Sequence, residues 1–257
     1  MLPGKTMFAG FAPPSDRHWR VLESSGCEMI IFGLDDEDDD RRGVDPSDYH
    51  DTWKPRSQWR AGRLEAAIGR AHSMGVATGV HYWVRPVRKW LDEAHDYIRR
   101  LHAAHRISVV MGDIERYALR MKPALGGFAD WSDVLDSIER AWAPPKYSTV
   151  FPGWPSYAIA SYGLPNPITR AAAEREFVRD NVLMVYDADV SLYVRCVEAW
   201  ATLGLGAKTV MGYGTYADAP RNLEEAHNKV TIAGVERSAF WSLRSTNTAE
   251  SKRISKL

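Results

Sequence analysis

The sequence predicts an α/β chain folded as one closed (β/α)8 TIM barrel, and three observations carry that expectation. Eight short apolar runs recur along the chain, most followed by a segment of helical periodicity. Alternating strand and helix means a parallel sheet, and eight such units in 257 residues match the usual size of a closed barrel. Polar and aromatic residues gather where the runs end, the face on which such barrels place their working groups. An open doubly wound sheet is the rival architecture. Against it, no Gly-x-Gly-x-x-Gly follows the first run, and no Gly-Lys-Ser/Thr phosphate loop occurs. No linker or low-complexity segment divides the chain, so residues 1–257 read as a single domain with a polar tail from about 245.

The first run is Met7 to Phe11, and a helix follows from Ser15 or Asp16 to Ser24, ended by Gly26. The second, Glu28 to Gly33, opens into an acidic loop reaching about Pro55, and a helix from Ser57 to Ser73 is closed by Gly75. The third, Val76 to Val84, leads to a long helix from about Val87 to Ala104. The fourth is Ile107 to Ile114, and a helix from Trp131 to Ala141 precedes the fifth, Tyr147 to Phe151. A loop rich in Pro, Gly and Tyr and a helix from Thr169 to Val178 precede the sixth, Val182 to Tyr186. A helix from Ser191 to Leu203 joins it to the seventh, Lys208 to Tyr213. A helix from Leu223 to Ala233 leads to the eighth, Arg237 to Leu243.

Composition narrows the partners. Lys plus Arg is 33 and Asp plus Glu is 33, so a balanced chain gives no reason to expect nucleic acid or an anionic membrane. No apolar run approaches the roughly 18 residues of a membrane span. The start, Met1 to Thr6, lacks the pattern of a secretory leader, so synthesis in the cytoplasm is expected, with any export by another route. Cys27 and Cys196 stand far apart in apolar or helical surroundings and read as free buried thiols. No Cys/His ligand spacing and no cofactor motif occurs, so no metal and no cofactor is expected. The 10 Trp and 11 Tyr divide between core packing and stacking on flat apolar ligand faces such as sugar rings. Oligomeric state is not legible.

The fourth run ends at Asp113-Ile114-Glu115. In a strand, residues two apart face the same way, so both carboxylates leave one face while Ile114 packs on the other. Two acids held that close do not ionise equally, which suits acid/base chemistry near neutral pH. Pairing with Arg85 or Arg116 in a purely structural network is the alternative. Other run ends carry Asp35 and Asp36, His81 and Trp83, Trp154, Tyr186 and Asp187, Tyr213 and Tyr216, and Trp241. His81 reads either as a ligand or base or as a hydrogen-bonded core residue. The acidic run Asp35 to Asp40 reads as a solvated loop, with calcium binding the alternative.

Three fragments together resemble the family-18 glycoside hydrolases, the chitinases and related endo-N-acetylglucosaminidases. Asp113-Ile114-Glu115 is similar to the end of their Asp-x-x-Asp-x-Asp-x-Glu signature on strand four. Met184-Val185-Tyr186-Asp187 is similar to their Met-x-Tyr-Asp, and Gly234 to Leu243 to their last strand, whose Trp floors the sugar site. Ser108 and Met111 stand at the two earlier Asp places, and the nearer of those acids normally partners the middle one. The family-25 lysozymes and phage lysins are a looser resemblance, without the Asp usual on their first strand. The resemblance implies cleavage of N-acetylhexosamine glycans, chitin-like or peptidoglycan. It makes Glu115 the acid and base, Asp113 a holder of the acetamido group or a stabiliser of positive charge near the anomeric carbon, Tyr186 a hydrogen-bond donor to the acetamido carbonyl, and Asp187 a helper. It makes Trp241 the plate under the sugar ring, and Trp83, His81, Tyr213 and Trp154, from their positions at run ends, are the further candidates to meet substrate. A catalytically silent carbohydrate-binding barrel and a metal-dependent hydrolase built on Asp113, Glu115 and His81 are the other expectations.

Overall fold

The computed structural model describes residues 2–35, 45–59, 62–114, 116–142, 147–151, 167–185, 189–215 and 223–257. Its eight parallel strands are β1 (Lys5–Gly10), β2 (Met29–Gly33), β3 (Ala77–Trp83), β4 (Val109–Asp113), β5 (Tyr147–Phe151), β6 (Val178–Val185), β7 (Thr209–Gly214) and β8 (Ser238–Trp241). Each pairs with its sequence neighbours, and β8 returns to β1, so the barrel closes. The helices around it include α1 (Asp16–Ser25), α2 (Arg63–Ser73), α3 (Arg88–His105), α4 (Arg116–Arg120) and α5 (Trp131–Trp142). After these come α6 (Pro167–Glu174), α7 (Val190–Thr202), α8 (Leu223–Ile232) and α9 (Thr248–Ile254).

Strand alternation builds two cores. The inner one stacks Phe8, Met29, Ile31, Val109, Met111, Val182, Met184, Val210 and Ala239, with Leu2 beneath them. The outer one sets the opposite residues, such as Ile30, Phe32, Val80, Tyr82 and Leu183, against the helices. α3 shows the match from the helical side. Its buried residues Trp90, Leu91, Ala94, His95, Ile98 and Leu101 fall on one stripe. α1 ends at Gly26, whose φ of 68° suits a residue without a side chain.

Three expectations need correction. Residues 57–73 do not form one helix: a 3-10 turn, Ser57–Trp59, precedes α2, and Trp59 fills the core while its indole donates to the Gly33 carbonyl at 2.7 Å. β6 starts at Val178, four residues earlier than the apolar run. Buried Asp180 explains this, because it accepts the Leu2 amide at 2.8 Å and pairs with Arg237 at the barrel floor. The polar tail contains a helix, α9, capped by Asn247 and Glu250, with Ile254 buried and Ser251 hydrogen-bonded to Ser24 of α1 at 2.8 Å. Among the described residues no helix is long and apolar enough to cross a membrane.

Removing one partner of a buried ion pair strands the other. Asp180→Ala is therefore expected to lower unfolding free energy by about 3 kcal/mol in urea titration, and a loss below about 1 kcal/mol contradicts the floor pairing.

Candidate functional site

At the barrel mouth, the described candidate site lies on the C-terminal ends of β1, β2, β3, β4 and β8. Alternation along β4 turns Val109, Met111 and Asp113 into the barrel and leaves Val110 and Ile114 in the outer core. Ile114 thus packs on the face opposite Asp113, as the spacing requires. On β3, Gly79, His81 and Trp83 face inward by the same rule. The register pairs His81 with Met111 and Trp83 with Asp113, so His81 lies diagonally below Asp113. Its Nε2 is 3.0 Å from Asp113 Oδ2, and both side chains are buried.

The rest of the His81 ring is enclosed by aromatic groups. Phe8, Phe11 and Trp241 have ring centroids 6.1, 6.1 and 5.7 Å away. Burial pushes the His81 pKa from 6.5 down to about 4, with the charge of Asp35 pulling the other way. A neutral ring beside a carboxylate donates through Nε2, and Nδ1 has no hydrogen-bond partner among the described residues. Phe11 reaches this position because Gly33 has no side chain: a Cβ there would stand 2.4 Å from the Phe11 ring.

Trp241 ends β8 and is partly exposed, packed on Phe8 at 4.7 Å and Phe11 at 5.8 Å. Backbone bonds fix the rim around it. Thr215 donates to the Trp241 carbonyl at 2.6 Å, and Leu243 donates to the Phe8 carbonyl at 2.7 Å. One indole is thereby presented at the mouth as a rigid apolar plate.

Asp35 follows β2 and is buried, which corrects the solvated-loop expectation for this residue; Asp36 to Asp40 lie outside the described residues. Its carboxylate accepts the Trp53 indole N–H at 2.5 Å and the Trp83 amide at 2.9 Å. Burial raises its pKa from 3.8 to about 6, against the lowering effect of these bonds, His81 and Arg85. Arg85 itself is buried, with Nη1 3.3 Å from Asp51 and its guanidinium 4.2 Å over the Trp90 ring.

Asp113, His81 and Trp241 therefore come together, and Trp83 is the register partner of Asp113 on β3. Trp83 is buried and clamped through its backbone. Tyr213 corrects the expectation that it lines the mouth. It lies in the outer core, stacked between Tyr193 at 5.5 Å and Phe240 at 5.8 Å, because alternation on β7 turns it toward the helices. Glu115, Trp154, Tyr186, Asp187 and Tyr216 lie outside the described residues. Sequence reasoning missed Phe11 and Trp53. The signal for Phe11 was Gly33, a residue without bulk on the strand beside it. Among the described residues no three His, Cys, Asp or Glu groups gather as a metal site, and both cysteines are free and buried.

The two displaced pKa values act oppositely on stability. Asp35 contributes stability that is complete below 3.8 and lost as pH rises through about 6. His81 contributes stability that is complete above 6.5 and lost as pH falls through about 4. Relative to wild type, Asp35→Asn is thus expected to gain about 2 kcal/mol between pH 4 and 6.5 in denaturant titrations. A relative stability that falls over that interval contradicts the buried placement of Asp35.

No family model matches the chain, and no curated protein matches it. Solved structures do. The spore cortex-lytic enzyme SleL of Bacillus megaterium QM B1551 superposes with a TM-score of 0.62 at 8% identity, over 97% of this chain and 72% of that one. A chitinase from Chromobacterium violaceum ATCC 12472 gives 0.62 at 11% identity, covering 98% of both chains. A GH18 chitinase from Cycas revoluta, solved in complex with (GlcNAc)3, gives 0.59 at 12% identity, also over 98% of both. The chain thus has the barrel fold of the family-18 glycoside hydrolases.

Proposed function

We propose that this protein is a glycoside hydrolase acting on N-acetylhexosamine glycans, either chitin-like chains or peptidoglycan. The observation that carries the reading is Asp113, at the C-terminal end of β4, joined through His81 to the Trp241 indole in a barrel fold shared with solved chitinases. The likeness to a chitinase solved with (GlcNAc)3 and to a spore cortex-lytic enzyme suggests the substrate class.

In this reading Glu115 protonates the glycosidic oxygen and then activates water, the two halves of one acid/base cycle. Asp113 holds the substrate's acetamido group and faces the positive charge that develops at the anomeric carbon. Tyr186 donates a hydrogen bond to the acetamido carbonyl, and Asp187 assists. Trp241 stacks under a sugar ring, which stabilises binding by about 25 cal/mol per Å² of apolar face covered. No residue of this set requires a metal or a cofactor.

Met111 supports a second reading. It is fully buried where the signature has an acid, so a barrel that binds glycan without turnover also accounts for the site.

The test is release of reducing ends from N-acetylglucosamine oligomers and from purified cell walls. Glu115→Gln is expected to lower kcat by at least about 100-fold with KM little changed, the usual contribution of a general acid. Equal turnover by variant and wild type removes Glu115 from the reaction. Measurable glycan affinity in a wild type that never turns over would favour the binding barrel instead.

A further inference from the structure

We propose that His81 is a positioning residue, taking from the neighbouring strand the place of the acid that Met111 replaces, and holding the Asp113 carboxylate by an Nε2–H hydrogen bond. This rests on the glycosidase reading above and adds a residue to it.

The geometry supports it at each step. Met111 is buried in the inner core and offers Asp113 no proton. His81 is its register partner on β3, one strand away at the same level, and places Nε2 3.0 Å from Asp113 Oδ2. His81 is fully buried and Asp113 almost so, with 3% of its side chain exposed. The ring is fixed on its other sides by Phe8, Phe11 and Trp241, so its orientation is set by packing and not by the hydrogen bond alone. In such a cage an unpaired Nδ1 lone pair costs less than an unpaired N–H, which selects the tautomer that donates from Nε2 toward the carboxylate. Trp241, the sugar plate of the proposed reaction, packs on the same ring. His81 thus ties the carboxylate and the stacking surface to one rigid group, the kind of support that fixes a catalytic geometry.

Two measurements test this on the full chain. The ring nitrogens of His81 are read by ¹⁵N NMR at pH 7 in wild type and in Asp113→Asn. The expected result is a neutral ring protonated on Nε2 whose signal shifts in the variant, while His95, bonded to Tyr82, stays unchanged. An Nδ1-protonated ring, or no shift, overturns the pairing. Kinetics on N-acetylglucosamine oligomers supply the second readout. His81→Phe, which keeps the ring volume and removes the donor, is expected to lower kcat at least about 10-fold with KM nearly unchanged. His81→Gln, which returns a donor near the Nε2 position, should restore most of that loss. Wild-type kcat in His81→Phe, or a Gln variant no better than Phe, overturns the positioning role. A wild type without turnover would sink the glycosidase reading while leaving the pairing to be decided by the ring shifts.

Discussion

Two-residue alternation in a closed barrel is the constraint on which the site depends. Each strand sends one side chain in two to an interior that is largely apolar between Leu2 and Met111. A shift of β4 by a single residue would turn Gly112 and Ile114 inward and drive Asp113 into the helix layer. The parallel register with β3 then decides who meets Asp113. The polar groups at the mouth therefore stand on an apolar floor, and their chemistry follows from that placement.

Their electrostatics share one cause. Burial disfavours the charged form of either sign, so it raises Asp35 and lowers His81. Asp35 is held despite this because it satisfies two donors, the Trp53 indole and the Trp83 amide, that would otherwise be buried without partners. It acts as a clasp between the long loop after β2 and the end of β3. Concentrating Asp35, His81 and Asp113 within one buried corner costs stability, and such arrangements gather at working sites more often than in scaffolds. The opposite end of the barrel uses its buried acid differently: Asp180 pairs with Arg237 and a backbone amide and closes the floor.

The architecture was legible because the apolar runs and helical stripes are long and regular. The eight strands fall where the runs stand, and the helix after β3 is only slightly displaced. β6 began early because a charged residue inside a strand has no local signature; Asp180 makes sense only once Arg237 is beside it. The site was partly legible. Asp113 could be placed from its spacing to Ile114, and Trp241 from its position at a strand end. Tyr213 was misplaced because a strand-end aromatic carries no mark of the face it occupies. The partnership of His81 and Asp113 spans 32 positions and depends on strand register, which a single sequence does not display.

The most direct measurement is a crystal structure of the protein with an N-acetylglucosamine oligomer bound. The account predicts a sugar ring stacked on the exposed part of Trp241 with its acetamido group against the Asp113 carboxylate. An oligomer seated away from the barrel mouth, or Asp113 sealed from a ring that does rest on Trp241, would contradict it.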